Sequence, residues 1–282
     1  MHDIVYLNGQ FMSAAEAKVS IFDRGLMFAD SIYDCCPVAC GRLINWPLNR
    51  ARIKRSLHAI NLRVPDRFWT ELDERLTDLI KLNQLGEGYA YVQVTRGAGD
   101  RRFAYHDNMK PTVILSIVRT NIIKRGQAYL GIAVCSIEDL RWERRDIKTT
   151  QLLYQIIARM AAESKGCQEA WLVSRGLVTE AASANAYIVQ RDGTIVTRPI
   201  SHEILAGCTR EALLSLCKSR GLKVDERAFS LEEAFAAPEA FITSAMHFVT
   251  PVTSIDGQEI GDGKIGALTT ELHEAFLESI GC

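Results

Sequence analysis

At 282 residues the chain has room for one large domain or two modest ones, and for a sizeable core. It is 48% hydrophobic and 24% charged, with a formal net charge of −1, and no block of like charges draws it to nucleic acid or an anionic membrane. No apolar run approaches the ~20 residues that span a bilayer. The N-terminus enters a strand-like pattern without signal-peptide architecture, so a cytoplasmic protein is expected.

Ile4–Leu7 and Gln10–Met12 around Asn8-Gly9 read as a β-hairpin. Ser31–Cys40 has strand character, and Gly41 turns it into Arg42-Leu43-Ile44. Pro47 fits the first turn of a helix with Leu48, Ile53, Leu57 and Ile60 on one face and Arg50, Arg52, Lys54 and Arg55 elsewhere. A second helix is expected from about Asp66 to Leu82, then strands over Tyr89–Thr95 and Thr112–Val118 joined by the loop Arg96–Phe103. Residues 1–119 thus form a small N-terminal α+β domain, 120–127 a polar linker, and 128–282 a larger domain.

In that larger part Tyr129–Val134 reads as a strand. Leu152, Leu153, Ile156, Ile157, Met160 and Ala161 follow Lys148 at helical spacing and predict a packed helix. Glu169–Val173 and Ala186–Gln190 are strands around a turn that carries Glu180. Cys208-Thr209 opens a helix, and Ser230 with Glu233 forms a capping-box pattern. Phe241–Ser244 is a strand ending in a small-residue turn, and a terminal helix starts near Gly266. Gly261–Gly266 matches G-x-G-x-x-G, but only a terminal helix remains after it; it is a loop, not a dinucleotide site. The eight cysteines form no Cys-x-x-Cys pair and the six histidines are scattered, so neither a disulfide framework nor a metal site is expected.

A loop lysine alone is an ordinary surface charge. Lys148 differs in lying between an apolar Ile147 and the mouth of a helix, where a desolvated amine of lowered pKa can form a Schiff base. A placed carboxylate, Glu180, a helix start near Cys208-Thr209 and the loop after Ser244 point to a ligand with both an aldehyde and a phosphate. Pyridoxal phosphate fits that description.

Collinear motifs then make a specific resemblance. They are Phe22–Gly25, Asp30–Tyr33, Gln93–Gly97, Arg141-Trp142 with Asp146–Lys148, Val178–Glu180, Ile204–Arg210, Thr243-Ser244, Thr250–Val252 and Ile255–Gly257. Over nearly its whole length the chain resembles the class IV (fold-type IV) pyridoxal-phosphate aminotransferases, most closely the bacterial D-amino-acid enzymes. The resemblance implies a two-domain α+β fold, with a small N-terminal α/β domain and a larger, β-barrel-like cofactor-binding domain with helices. It implies Lys148 as Schiff-base lysine and proton carrier, Glu180 on the pyridine nitrogen, and Arg52 on the phosphate. The amides of Cys208 and Thr209, with Ser244 and Ala245, complete the phosphate site, and Leu205 packs on the ring. Tyr33 and Arg101 hold the substrate carboxylate, with Phe103 and Met246 beside the substrate. Arg101 would come from the partner subunit of a homodimer with shared active sites.

Four positions depart from the family pattern. Phe103 stands where a histidine is frequent, Asn49 where a histidine precedes the phosphate arginine, Ala181-Ala182-Ser183-Ala184 where serines are common, and Ala245 where a threonine hydroxyl is often found. Weaker cofactor retention is expected from the last. Transfer of an amino group from a D-amino acid to a 2-oxo acid is the implied reaction. Branched-chain L-aminotransferase, (R)-amine transaminase and aminodeoxychorismate lyase are the alternatives on the same fold.

Overall fold

The structure is a computed structural model that describes residues 3–123 and 131–281. The described chain divides into two compact units: residues 1–122 with 147–151, and residues 123–146 with 152–282. Half of the linker expected at 120–127, and the first residues of the strand expected from Tyr129, lie outside the described residues.

The strands of the first unit are β1 (Ile4–Leu7), β2 (Gln10–Ser13), β3 (Ser31–Ala39), β4 (Arg42–Leu43), β5 (Gly88–Thr95) and β6 (Thr112–Arg119). They form a six-stranded antiparallel sheet ordered β2-β1-β6-β5-β3-β4. Helices α1 (Arg24–Phe28), α2 (Trp46–Ala59) and α3 (Arg67–Leu82) accompany it. Alternation along β3 and β5 decides which face is covered. Ile32, Val92 and Val94 turn into a core with Ile53 and Leu57 of α2 and Leu76 of α3. Tyr33, Cys35, Tyr91 and Gln93 take the opposite face, in the register Tyr33↔Gln93 and Cys35↔Tyr91. Arg52, read as lying off the apolar face of its helix, is buried.

Lys148 belongs to this first unit, although it follows the linker in sequence. Its segment runs beside β3: the Tyr33 amide donates to the Lys148 carbonyl at 2.9 Å, Ile32 bridges Thr149, and Ile147 joins the core.

The strands of the second unit are β7 (Ile132–Glu138), β8 (Glu169–Ser174), β9 (Leu177–Ala181), β10 (Asn185–Val189), β11 (Ile195–Thr197), β12 (Val224–Glu226), β13 (Glu239–Ser244), β14 (Phe248–Ile255) and β15 (Gln258–Glu259). They make a nine-stranded sheet ordered β12-β11-β10-β13-β14-β7-β8-β9, with β15 paired to β14. β9, at one end of the path, returns beside β10, so the sheet curls into a partial barrel. Its core centres on Trp171 and Phe229, whose ring centroids are 5.9 Å apart. Helices α4 (Leu153–Ser164), α5 (Cys208–Ser219), α6 (Leu231–Ala236) and α7 (Ala267–Ile280) complete the unit.

The capping box of α6 is present as expected: the Glu233 amide donates to Ser230 Oγ at 3.2 Å and the Ser230 amide to Glu233 Oε2 at 3.0 Å. Gly261–Gly266 leads into α7, whose Leu268 and Thr269 amides are taken by Glu239 at 3.1 and 2.8 Å. Two expectations are corrected. Glu180 lies in a buried strand, β9, not in a turn. The apolar stripe of α4 does not pack inward: Ala158 and Ala162 make its buried face, while Leu153, Ile156, Ile157 and Met160 are 53–70% exposed.

No described helix is long and apolar enough to cross a membrane, and the described residues hold no cluster suited to a metal ion. Cys35, Cys36, Cys135, Cys167, Cys208 and Cys217 form no disulfide; Cys40 is disulfide-bonded, which the sequence reading did not expect.

Candidate active site

In the first unit, β3 positions a lysine, a phenol and an ion pair. Lys148 is held through its main chain, whose amide donates to Ser56 Oγ of α2 at 3.2 Å. Its Nζ donates to Tyr33 Oη at 3.2 Å and lies 4.3 Å from the centroid of that ring. No carboxylate of a described residue pairs with the amine. Burial works against its charge and Arg52 adds to that, but Tyr33, Asp34 and Cys35 outweigh them, and the amine is held above its ordinary value. This direction is opposite to the lowered pKa expected from the sequence.

Behind it Arg52 is locked. Its Nε and Nη2 donate to the two oxygens of Asp34 at 2.9 and 2.7 Å, and Asn49 Nδ2 donates to the same carboxylate at 2.8 Å. A bidentate pair of this kind fixes the guanidinium plane and uses two of its five N–H donors. Tyr33 stacks on Tyr91 at 5.8 Å, and Tyr91 Oη donates to Gln93 Oε1 at 2.9 Å.

In the second unit, β9 presents Glu180, 4% exposed, to three donor groups. Arg141 Nη1 reaches Oε1 at 2.7 Å, Asn185 Nδ2 reaches Oε2 at 3.0 Å, and the Leu205 amide lies 3.3 and 3.1 Å from the two oxygens. A carboxylate has about four acceptor sites, so one is left for a further donor. Burial, with Asp139 adding to it, pushes the Glu180 carboxyl above its usual range, against the pull of Arg141 and of the Leu205 amide. Asn185 also ties down the loop after β11 through the Leu205 carbonyl at 2.9 Å. That loop ends at Gly207, where a Cβ would collide with Asn185 Oδ1.

Gly207 is the N-cap of α5 and supplies no side-chain hydrogen bond to the first turn, which begins with Cys208 and Thr209. The Thr209 hydroxyl makes no hydrogen bond with a described residue. The second small-residue segment, Ala245-Met246-His247, is the tight turn joining β13 to β14, where the His247 amide donates to Ser244 Oγ at 3.2 Å.

Arg101 and Phe103 lie on an exposed loop of the first unit. Phe103 is 88% exposed. The base of the loop is fixed: Arg24 donates to the carbonyls of Arg102 and Phe103 at 2.5 and 3.1 Å, while Arg24 and Arg96 share Asp30 at 2.8 Å each. Phe28 lies 5.5 Å below the Arg101 guanidinium and 5.8 Å from the Phe103 ring. No described hydrogen bond joins Arg101 to Tyr33 or Lys148 of the same chain.

The sequence profile of the class IV amino-transferases matches residues 31–255. The chain belongs to the class IV aminotransferases. It is 36% identical to the D-alanine aminotransferase of Bacillus licheniformis, over 98% of this chain and 96% of that one. It is also 36% identical to that of Staphylococcus aureus, over 96% of each. Among solved structures, the branched-chain amino acid aminotransferase of Escherichia coli superposes with a TM-score of 0.90 at 23% identity, covering 99% of this chain and 94% of that one. A hypothetical aminotransferase from Mycobacterium tuberculosis, solved in its PLP-bound form, superposes with a TM-score of 0.85 at 17% identity, covering 99% of each. These two likenesses show the fold.

The family works with pyridoxal phosphate, and the residues of this class IV aminotransferase fit that group. An amine without a carboxylate partner suits an aldehyde, a carboxylate with one acceptor site left suits a ring N–H, and a helix start without a side-chain cap suits a phosphate. Sequence reasoning missed Asp34, Asp139, Arg141 and Asn185 as parts of this machinery. Asp34 and Arg141 sit in or next to motifs that carried the resemblance, but Arg141 meets Glu180 across 39 positions and no spacing rule signals that.

Proposed function

We propose that this class IV aminotransferase transfers the amino group of a D-amino acid to a 2-oxo acid, with Lys148 as its catalytic lysine. The observation that carries the reading is the Lys148 amine, placed by β3 and α2 and bonded to a phenol rather than a carboxylate. Two D-alanine aminotransferases at 36% identity over nearly the full length support the D-amino-acid substrate. Bound pyridoxal phosphate would supply an electron sink for the electrons of the substrate Cα–H bond. Lys148 would hold the cofactor through its amine, and the same amine would carry the proton taken from the substrate Cα, with Tyr33 Oη orienting Nζ. Glu180 accepts the ring N–H. Arg52, the Cys208 and Thr209 amides, the Thr209 hydroxyl and the Ser244-Ala245 turn receive the phosphate, and Leu205 covers the ring. Tyr33 and the partner subunit's Arg101 take the substrate carboxylate, with Phe103 and Met246 beside it.

The homodimer is part of the proposal. The exposed apolar face of α4 supports it in the second unit, and Ile21, Phe22, Leu26 and Phe103, 56–88% exposed, support it in the first. A second copy is the occupant that also brings Arg101 to a carboxylate. The cytoplasm is the proposed compartment.

Lys148→Ala should remove both the visible band of the bound cofactor and transamination. A half-reaction screen with D-amino acids, L-amino acids and (R)-amines tests the substrate class. Turnover of L-valine or of an amine lacking a carboxylate, with D-alanine inert, would sink the D-amino-acid assignment.

A further inference from the structure

Glu180 faces a difficulty of charge. It is to act as an anion toward a ring nitrogen, yet Arg141 already sits on it at 2.7 Å, 6% exposed and fully charged. A one-to-one pair would be neutral and would offer the ring little. The structure answers with a second carboxylate. Asp139, at the end of β7, takes the remainder of the guanidinium: Arg141 Nε donates to Oδ1 at 2.9 Å and Nη2 to Oδ2 at 2.8 Å. Thr179 Oγ1, next to Glu180 on β9, donates to Asp139 Oδ2 at 2.7 Å, and the Asp139 side chain has no exposed surface. Arg145 stands beyond, its Nε 3.4 Å from Asp139 Oδ2.

We propose that Asp139 is a positioning residue for the cofactor ring: by neutralising Arg141 it leaves the negative charge of Glu180 available to keep the ring nitrogen protonated. This rests on the reading in which Glu180 receives that nitrogen. Geometry supports it first, because Asp139 holds Arg141 by two bonds and Glu180 by one, and the donors around both carboxylates are accounted for. Those on Glu180 are Arg141, Asn185 and the Leu205 amide; those on Asp139 are Arg141, Thr179 and, as a charge, Arg145. The charge of Asp139 is also secure. Burial alone would raise its carboxyl, but Arg141, Thr179 and Arg145 reverse this and hold it below the usual range. A fixed anion one guanidinium away from Glu180, in a water-poor interior, acts over several ångströms with little screening.

The test is the protonation of the ring nitrogen itself, read from the 15N shift of holoenzyme loaded with pyridoxal phosphate labelled at that nitrogen and titrated with pH. Asp139→Asn, which keeps the shape and removes the charge, should lower the proton affinity about tenfold, a fall of about one pH unit in the midpoint. Arg141→Met should move the midpoint the other way, and the double variant Asp139→Asn/Arg141→Met should return it close to wild type. A merely structural role would not be repaired by a second substitution. If Asp139→Asn fails to fold, the sign of the Arg141→Met shift decides alone. Glu180→Gln separates the two layers. A midpoint unmoved in Glu180→Gln overturns the reading beneath. A midpoint displaced in Glu180→Gln but unmoved in Asp139→Asn, or in Arg141→Met, overturns the role given to Asp139.

Discussion

Replacing Asp34 by asparagine tests the ion pair behind Lys148. Asp34 accepts three donors, Arg52 Nε at 2.9 Å, Arg52 Nη2 at 2.7 Å and Asn49 Nδ2 at 2.8 Å, in a site where both charged partners are at most 5% exposed. An asparagine offers one acceptor oxygen and points an NH2 group at a donor. The buried guanidinium loses the carboxylate that holds it, and removing one member of a buried pair costs about 3–5 kcal/mol. Asparagine keeps the volume and one acceptor, so the lower end, ~3 kcal/mol, is expected. At about 2–4 °C per kcal/mol for chains of this size, the cofactor-free protein should melt ~6–12 °C earlier. Arg52→Met completes a double-mutant cycle. Removing both charges leaves neither orphaned, so the double variant should be more stable than the sum of the single losses by at least ~1.5 kcal/mol. Urea unfolding at pH 7 provides the free energies. Asp34→Asn within ~0.5 kcal/mol of wild type, a typical error of additivity, would refute the reasoning.

Tyr33→Phe removes the group that does most to hold the Lys148 amine above its ordinary 10.5, so its titration should move down. A pH titration of the Lys148 amine in cofactor-free protein should find the variant's midpoint below that of wild type; an equal or higher midpoint would count against the assigned cause. The sign for stability is the converse: a raised lysine contributes stability below its unfolded value and loses it as pH rises through the folded one, so wild type should lose more than Tyr33→Phe in strong alkali. Gly207→Ala drives a Cβ into Asn185 Oδ1 and displaces the side chain that bonds both Glu180 and Leu205. It should cost ~1–3 kcal/mol and weaken cofactor binding, measured by fluorescence titration; an unchanged Kd would show that Asn185 is not needed there. Ile156→Glu places a charge on the exposed face of α4 and should shift sedimentation from dimer to monomer. A dimer that persists would remove α4 from the interface.

Much of the fold was legible because its signals are local. The Asn8-Gly9 hairpin, Pro47 in the first turn of α2, the spacing of Phe68, Leu72, Leu76 and Leu79 in α3 and the Ser230/Glu233 box each act within a few residues, and each is present. Glu180 was misplaced for a local reason too. Val178-Thr179-Glu180-Ala181 holds one charged and two small or polar side chains, a composition that favours a turn unless a partner is supplied. The partner is Arg141, whose charge makes a buried glutamate tolerable inside a strand, and it arrives from the far side of α4 in the sequence.

The helix after Lys148 shows a different limit. Its period was read correctly and its inward face was not. Hydrophobic periodicity reports that a stripe leaves water, but not whether the surface covering it belongs to the same chain. In α4 the side turned to β7 and β8 carries Ala158 and Ala162, with Tyr154 packed beside them. The aliphatic residues take the other side, where they are 53–70% exposed. The cost of exposing Leu153, Ile156, Ile157 and Met160 in water, about 1.5–3 kcal/mol for each such side chain left unburied, is the physical reason to expect a second copy there. The same logic applies to Phe103. A ring 88% exposed on a loop whose Arg102 and Phe103 carbonyls Arg24 holds is a poor feature for a lone chain, and a reasonable one for a loop that enters the proposed partner's site.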